Sequence, residues 1–300
     1  MNIIKYKNYF FTLSLLVMLP GIFAIFAWGL NLGIDFTGGT LWEVKFIEKK
    51  EEVNRQTFQN FLNENGAEVS TASQTSDNSI LVRTKLTEEA KINEIKTKVQ
   101  EKYGSFEDVR FETVGPTISK ELTQKALLAV SVSILAIVTY MSWAFRKIPK
   151  PTSSVAFGLA TIAALVHDVI VVVGIFAILG HFFGIEIDSL FITALLTIIG
   201  FSVHDTIVVF DRIRENLIKH SDKSFESVVN HSILQTLGRS LNTSLTAVFV
   251  LVALLLFGGD SIKNFVLALL IGMISGTYSS IFNATPLLVV WQNLHKKSKK

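Results

Sequence analysis

The 300-residue sequence contains no cysteine and only five prolines, and its 28 basic residues nearly balance its 25 acidic ones. The absence of cysteine excludes disulfide bonds, thiolate metal sites and a cysteine nucleophile. A net charge of +3 argues against a strongly basic chain that binds nucleic acid, so we expect no nucleic-acid partner. Hydrophobic residues, by contrast, make up 49% of the sequence, against 18% charged residues.

The hydrophobic residues lie in six long runs. A helix needs about 20 apolar residues to cross a hydrocarbon core of about 30 Å. Four runs contain no charged residue, and the third and fourth each contain one aspartate beside a histidine. The runs cover residues 8–34, 126–145, 151–185, 189–210, 240–259 and 264–294. The sequence therefore predicts an α-helical integral membrane protein with six transmembrane helices, the first of them too long for a cleaved signal peptide.

Basic residues are distributed unequally between the segments that connect these runs. The termini and the two segments on their side of the membrane carry 14 lysines and arginines, whereas the two short opposite loops carry only Lys263. Basic residues accumulate on the cytoplasmic side. We therefore expect a multi-pass protein of the cytoplasmic (inner) membrane, with both termini and a loop at 211–239 in the cytoplasm and a basic C-terminal tail. The apolar residues within this loop suggest amphipathic helix along the membrane face.

The long segment between the first two runs has the pattern of a folded domain. Alternating residues predict strands at 41–47, 68–73, 79–85 and 106–113, and helical spacing predicts helices at 51–65 and 87–104. The order β-α-β-β-α-β is typical of a ferredoxin-like α+β domain. The predicted organisation is the N-terminus and first helix at 1–34, an extracytoplasmic (periplasmic) domain at 35–120, and the remaining five helices at 121–300.

Ionisable residues inside the predicted spans are candidates for function, because a charge in the membrane is costly. They are Asp168 beside His167 in the third span and Asp205 beside His204 in the fourth. Arg239 opens the fifth span and is the natural counter-charge for Asp205. Each aspartate could instead only hold helices together through hydroxyl groups, and Arg239 could extend to lipid headgroups.

Two groups of glycines are also candidates for a special role. Gly33, Gly38 and Gly39 lie in GIDFTGGT (33–40), where they would let the chain turn from the first helix into a strand, as a hinge. Gly272 and Gly276 form a small-residue face suited to close helix packing. No spacing of histidines and carboxylates predicts a metal site, and no nucleotide-binding loop is present.

Four motifs resemble the smaller-subunit branch of the SecD/SecF family of bacterial protein-export membrane proteins, in the RND superfamily. They are GIDFTGGT at 33–40, VGPTISKEL at 114–122, ALVHD at 164–168 and TIIGFSVHDTIVVFDRIREN at 197–216. The resemblance implies a non-enzymatic subunit that uses the proton gradient to help exported proteins leave the outer face. It also implies that protons are the coupling ion, with no cofactor, and that membrane lipid, the exported unfolded polypeptide, SecD, the SecYEG channel, YajC and YidC are partners.

The resemblance also implies roles for individual residues. In the family, the aspartate of the fourth span and the arginine that opens the fifth are implicated in proton coupling, and they match Asp205 and Arg239. His204 stands where many relatives have asparagine, so it adds a titratable group beside Asp205. Asp168 is a further candidate for proton coupling.

Two other classes of protein remain as alternatives. An RND-type small-molecule exporter would normally have two six-helix halves in one chain, so this chain would be one half. An intramembrane aspartyl protease would need two aspartates close enough to share a proton. Their distances along the chain from the nearest cytoplasmic charges place Asp168 and Asp205 at depths that differ by roughly 16 Å.

Overall fold

The computed structural model describes residues 2–47, 53–74, 79–85, 88–146, 148–149, 152–220 and 222–297. The chain divides into two units. One is Leu32–Leu127, and the other combines Met1–Asn31 with Leu128–Lys300. The helices and strands are numbered below in chain order.

In the described part of the chain, six helical segments are long and apolar enough to cross a membrane, in agreement with the six predicted runs. The first consists of a short 3₁₀ turn and helix α1, and the last contains helices α9 and α10. The helices are α1 (Lys7–Ala27), α5 (Pro116–Ala144), α6 (Ser154–Phe183), α7 (Ser189–Lys219), α8 (Phe225–Phe257), α9 (Asp260–Ser279) and α10 (Thr285–Lys297). Helices α6 and α7 and the last segment are the most deeply buried of the six.

Helices α7 and α8 are longer than the sequence pattern predicted. The segment 211–239 was expected to be a loop with amphipathic helix along the membrane face, but its helices are continuous with α7 and α8, and only residues 220–224 separate the two. Both helices continue because their buried faces continue, with Ile213 on α7 and Val229 on α8 completely buried. The amide of Asn216 donates hydrogen bonds to Ser232 (2.9 Å) and Gln235 (2.8 Å), which ties the two extensions together.

The last apolar segment is not one uniform helix. A π-helical turn at Ser280–Ala284 separates α9 from α10. Pro286 follows in the first turn of α10, and it has no N–H to donate to the preceding turn. The Thr285 hydroxyl donates to the Ser280 carbonyl at 2.8 Å and so satisfies one of the acceptors at this irregularity. Such turns occur in proteins mostly as single interruptions of α-helices, frequently at functional sites.

The unit Leu32–Leu127 contains a four-stranded antiparallel sheet with strand order β2-β3-β1-β4. Its elements are α2 (Ile34–Thr37), β1 (Gly39–Phe46), α3 (Arg55–Glu64), β2 (Val69–Gln74), β3 (Ile80–Thr84), α4 (Glu89–Tyr103) and β4 (Phe106–Val114). The helix predicted from residue 51 begins only at Arg55, because Asn54 and Thr57 form a capping box at that point. Residues 51 and 52 lie outside the described part.

The core of this unit lies between the sheet and the apolar faces of α3 and α4. Phe58 and Leu62 of α3 and Val99 of α4 are completely buried against Val44 and Val82 of the sheet. Each such side chain contributes roughly 1.5–3 kcal/mol of burial free energy. Hydrophobic residues at helical spacing in α3 and α4 and alternating ones in β1 and β3 thus account for the core without disulfide bonds.

Candidate functional site

The carboxylate of Asp168, on α6, is held by four side chains in the interior of the helical unit. Its side chain is 2% exposed. Ser202 of α7 and Ser279 of α9 donate to Oδ2 at 2.6 and 2.7 Å, and Ser275 of α9 donates to Oδ1 at 2.8 Å. His167 Nδ1 lies 3.0 Å from Oδ1. Three hydroxyl donors from two helices thus fix this carboxylate against α7 and α9.

Further hydroxyls extend this cluster towards the π-helical turn. Ser280 Oγ lies 2.8 Å from Thr206 Oγ1 and donates to the Ser202 carbonyl at 3.1 Å. We call seven of the buried hydroxyl residues of α7, α8, α9 and this turn the hydroxyl layer. They are Ser202, Thr206, Ser244, Ser275, Thr277, Ser279 and Ser280.

Asp205, on α7, borders the same hydroxyl layer but has weaker partners. Its side chain is 2% exposed. Ser244 of α8 lies 3.5 Å from Asp205 Oδ2, at the outer limit of a hydrogen bond, and Thr277 of α9 is a further partner. The Ser244 and Thr277 hydroxyls are only 2.5 Å apart, so one of them donates its single proton to the other and not to the carboxylate.

The two aspartates lie at similar depths, and the predicted difference of roughly 16 Å is wrong. Asp168 bonds to Ser202, which precedes Asp205 by three residues, or about 4.5 Å along the helix axis. The prediction failed because it took the charges at Asp211 and Arg212 as the helix end, whereas α7 continues to Lys219. Each carboxylate nevertheless has hydroxyl partners of its own, and no hydrogen bond between the two occurs in the described residues.

His204 and Arg239 lie apart from the hydroxyl layer. Both side chains are exposed on the surface of this unit, although His204 is adjacent to Asp205 in sequence. Within the described part of the chain, no ion pair joins Arg239 to Asp205. Arg239 instead lines a cleft between α5, α7 and α8, together with Asp211 and Glu215.

The glycines singled out from the sequence occupy two different environments. A Cβ added to Gly272 would overlap the Ile198 side chain, and one added to Gly276 would lie 3.1 Å from Ser202 Cβ, so α9 closely approaches α7 at both positions. In the other unit, Gly38 and Gly39 have φ values of +72° and +117°, which favour glycine. Gly33 has φ −72°, which any residue can adopt.

Sequence reasoning found both buried aspartates but missed most of their partners. Ser202 and Thr206 are spaced by four residues, as are Ser275 and Ser279, so each pair lies on one face of its helix. Ser244 of α8 was also missed. Small hydroxyl residues at this spacing inside an apolar run could have predicted the hydroxyl layer. They can donate hydrogen bonds to a buried carboxylate without adding charge.

Family models match most of the chain. The model described as "Protein export membrane protein SecD/SecF, C-terminal" matches residues 94–294. The model described as "SecD/SecF GG Motif" matches residues 23–46, which include Gly38 and Gly39.

Relatives with assigned names match the chain over nearly its whole length. The protein translocase subunit SecF of Thermobaculum terrenum is 47% identical, over 97% of this chain and 94% of its own length. That of Anaerolinea thermophila is 43% identical, over 98% and 94%. The protein translocase subunit SecDF of Bacillus subtilis is 38% identical over 97% of this chain, which matches only 38% of the longer protein.

The fold is similar to that of a solved SecDF. The crystal structure of SecDF, a translocon-associated membrane protein from a Thermus species, superimposes with a TM-score of 0.83 at 35% identity, covering 98% of this chain and 39% of that one. This chain thus spans about two fifths of the SecDF chain. The matches of sequence and fold together show that the chain belongs to the SecD/SecF family of protein-export membrane proteins.

Proposed function

We propose that this chain is a multi-pass inner-membrane subunit of the protein-export machinery, which works with SecD and uses the proton motive force to assist translocation through SecYEG. Its relatives over nearly the full length are named SecF. In Bacillus subtilis, the matching region is part of a SecDF chain, which supports a physical partnership with SecD. YajC, YidC, the unfolded exported polypeptide and membrane lipid are the further partners in this proposal.

The proposal includes an orientation and a domain arrangement. Both termini and the α7–α8 connection would be cytoplasmic, since 14 basic residues lie on that side. Residues 35–120 would form a ferredoxin-like domain on the periplasmic side, as the antiparallel order β2-β3-β1-β4 supports. Residues 1–34 would contain the first helix and 121–300 the other five, and Gly33, Gly38 and Gly39 would serve as the hinge.

The orientation can be tested directly, because the chain has no cysteine. Gln100 on α4 and Lys223 between α7 and α8 are both exposed. A cysteine at position 100 should react with a membrane-impermeant maleimide added outside intact cells. A cysteine at position 223 should react only after the membrane has been opened. The opposite pattern would show that the proposed orientation is wrong.

Proton coupling is proposed to centre on Asp205. The observation that supports this most directly is the difference in hydrogen bonding between Asp205 and Asp168. Asp205 is buried, and its Ser244 contact is 3.5 Å long. A carboxylate with weak partners can gain and lose a proton with little rearrangement of its neighbours. Asp168, which accepts three short hydroxyl bonds, would have to break them, so it acts here as a positioning residue.

Arg239 is proposed to contribute to proton coupling from the cleft. A guanidinium there raises the local electrostatic potential, and this potential acts on any proton that enters from the cleft, without a direct bond between Arg239 and Asp205. His204 is proposed to have a minor role, because its side chain is exposed and makes no hydrogen bond to Asp205 among the described residues, although its charge acts on Asp205. One charge that crosses 100 mV releases about 2.3 kcal/mol, so a few protons could drive a conformational change.

The test is export of a slow-folding secreted reporter, with and without a proton uncoupler, in cells that carry only the variant. Asp205→Asn should accumulate normally but lose the uncoupler-sensitive stimulation, because the side chain cannot ionise. Glu226→Gln, an exposed carboxylate in the first turn of α8, is the matched control and should export normally. If Asp205→Asn kept full stimulation at normal membrane levels, Asp205 would be only structural.

The two alternative functions have less support. An intramembrane aspartyl protease needs two carboxylates that share a proton, whereas Asp168 and Asp205 have separate hydroxyl partners. A small-molecule exporter half is disfavoured because the full-length relatives are named translocase subunits. The proposed role is accordingly that of a non-enzymatic transport subunit.

A further inference from the structure

A cleft of about 580 Å³ lies between the end of α5 and the extensions of α7 and α8. All four arginines of residues 128–300 line it, namely Arg146, Arg212, Arg214 and Arg239. Among the described residues, no lysine lines it. Arginine is the side chain that binds a phosphate through two parallel hydrogen bonds, so this segregation of arginine from lysine points to an oxyanion.

The cleft carries positive charge that its acidic residues do not compensate. Arg212 pairs with Glu215 at 2.8 Å, and Arg214 pairs with Asp211 at 2.7 Å. Arg146 and Arg239 have no carboxylate partner within the described part of the chain. Two guanidinium groups are therefore available to an anion.

The cleft lies at the level where the helices leave the membrane. The apolar run of α7 ends at Phe210 and that of α8 begins at Ser240, while α5 ends at Ala144. Tyr140 and Trp143 on α5 form its outer wall and are 51% and 60% exposed. Exposed tyrosine and tryptophan at such a level are typical of the membrane–water interface.

An exposed apolar strip on α5 adjoins this cleft. It shares Tyr140 and Trp143 with the cleft and also contains Val132, Leu135, Ala136 and Thr139 of the same helix. Leu135 is 67% exposed on the surface of this unit. A phosphate site beside an exposed apolar strip fits a molecule with an anionic head and a hydrocarbon tail better than it fits a free phosphate.

We propose that this cleft binds the phosphate headgroup of an anionic glycerophospholipid, with one acyl chain along α5. Arg146, whose guanidinium lies 4.8 Å from the Trp143 ring centre, holds the outer side of the phosphate. Arg239 holds the inner side. Basic pockets between transmembrane helices bind anionic headgroups in this way. The bound lipid connects α5 to the α7–α8 extensions.

The test is native mass spectrometry of the full-length protein released from nanodiscs that contain equal amounts of phosphatidylglycerol and phosphatidylcholine. The wild-type protein should retain phosphatidylglycerol preferentially. Arg146→Gln should lower this preference about fivefold, the effect of one basic residue near an anionic lipid. Lys223→Gln removes a charge outside the cleft and should leave the preference unchanged. Arg239 is left intact, so a failure of this proposal is distinct from a failure of proton coupling.

A second experiment distinguishes a lipid from a free phosphate as the ligand of the cleft. Leu135→Asn should weaken phosphatidylglycerol retention, and soluble glycerol 3-phosphate at millimolar concentration should not displace the lipid. The proposal is overturned if the two lipids are retained equally, if Arg146→Gln and Lys223→Gln behave alike, or if glycerol 3-phosphate displaces the lipid. It is also overturned if co-purified SecD abolishes lipid retention, since the cleft would then be a protein interface.

Discussion

Asp168 and Asp205 lie about one helical turn apart in the same bundle, yet their surroundings differ. Asp168 has three hydroxyl donors within 2.8 Å, whereas the Ser244 hydroxyl of Asp205 is 3.5 Å away. Both side chains are almost completely buried. Burial alone therefore does not identify a proton carrier. The number and length of the hydrogen bonds to each carboxylate separate a residue that holds helices together from one that can change its protonation state.

The largest effect on stability is expected from Asp168→Asn. The amide group cannot accept the bonds that both carboxylate oxygens accept, so at least one buried hydroxyl loses its acceptor, at a cost of about 2–3 kcal/mol. The midpoint of thermal unfolding in detergent should fall by roughly 5–10 °C. Asp222→Asn, at an exposed position, is the control. An unchanged midpoint for Asp168→Asn would show that the hydrogen bonds to Asp168 do not stabilise the fold, so Asp168 and Asp205 would no longer differ in structural role.

A smaller decrease is expected from Ser279→Ala. The change removes one hydrogen bond to a charged group, at a cost of about 1.5 kcal/mol or more, and leaves Ser202 and Ser275 in place. The midpoint should fall by roughly 3–6 °C. In the double variant with Asp168→Asn, the two decreases should be less than additive, because both changes break the same bond. Full additivity would argue that Ser279 and Asp168 act independently.

Ser244→Ala should change the thermal midpoint by less than Ser279→Ala does. Its contact with Asp205 is long, and Thr277 retains a second acceptor in the Met273 carbonyl at 2.9 Å. Export stimulation should nevertheless decrease, because Ser244 is a polar neighbour of the proposed carrier. The measurement is reporter export alongside the unfolding midpoint. If Ser244→Ala caused a large loss of stability and left export unchanged, Ser244 would have the structural role that is proposed here for Ser279.

The smallest effect is expected from His204→Asn. The imidazole is exposed and lies away from the hydroxyl layer, so both stability and export should remain close to wild type. The export assay with the uncoupler is the appropriate measurement. A severe loss of stimulation would show that the imidazole relays the proton to Asp205, and Asp205 would then no longer act alone.

The periodicity of the sequence predicted the six spans and the elements of the sheet unit, because both depend on local patterns of apolar residues. The start of α3 was not predicted, because it depends on the hydrogen bonds that Asn54 and Thr57 exchange. The extension of α7 to Lys219 was also missed. Charges were taken as the end of the helix, but Arg212 and Glu215 pair across one turn and are compatible with its continuation.

The candidate site was only half predictable. Buried aspartates are visible in a sequence because a charge in an apolar run is rare. Whether a carboxylate is bonded depends on which helices meet, and Ser202 and Ser279 are separated by 77 positions in the chain. The pairing of Asp205 with Arg239 was suggested by charge, by the position of Arg239 at the start of the fifth span and by the family resemblance. In the described residues Arg239 is exposed and hydroxyl groups surround Asp205.

The uninterrupted course of α7 has a mechanical consequence. Between Asp205 and Lys219 the helix has no break, so its last three to four turns behave as a rigid rod of about 21 Å. A tilt of about 10° around Asp205 would displace the end of this rod by about 3.7 Å, and α8 would follow because Asn216 joins the two helices. A sub-ångström adjustment beside one carboxyl group could thus become a movement of several ångströms at the far end of the hairpin.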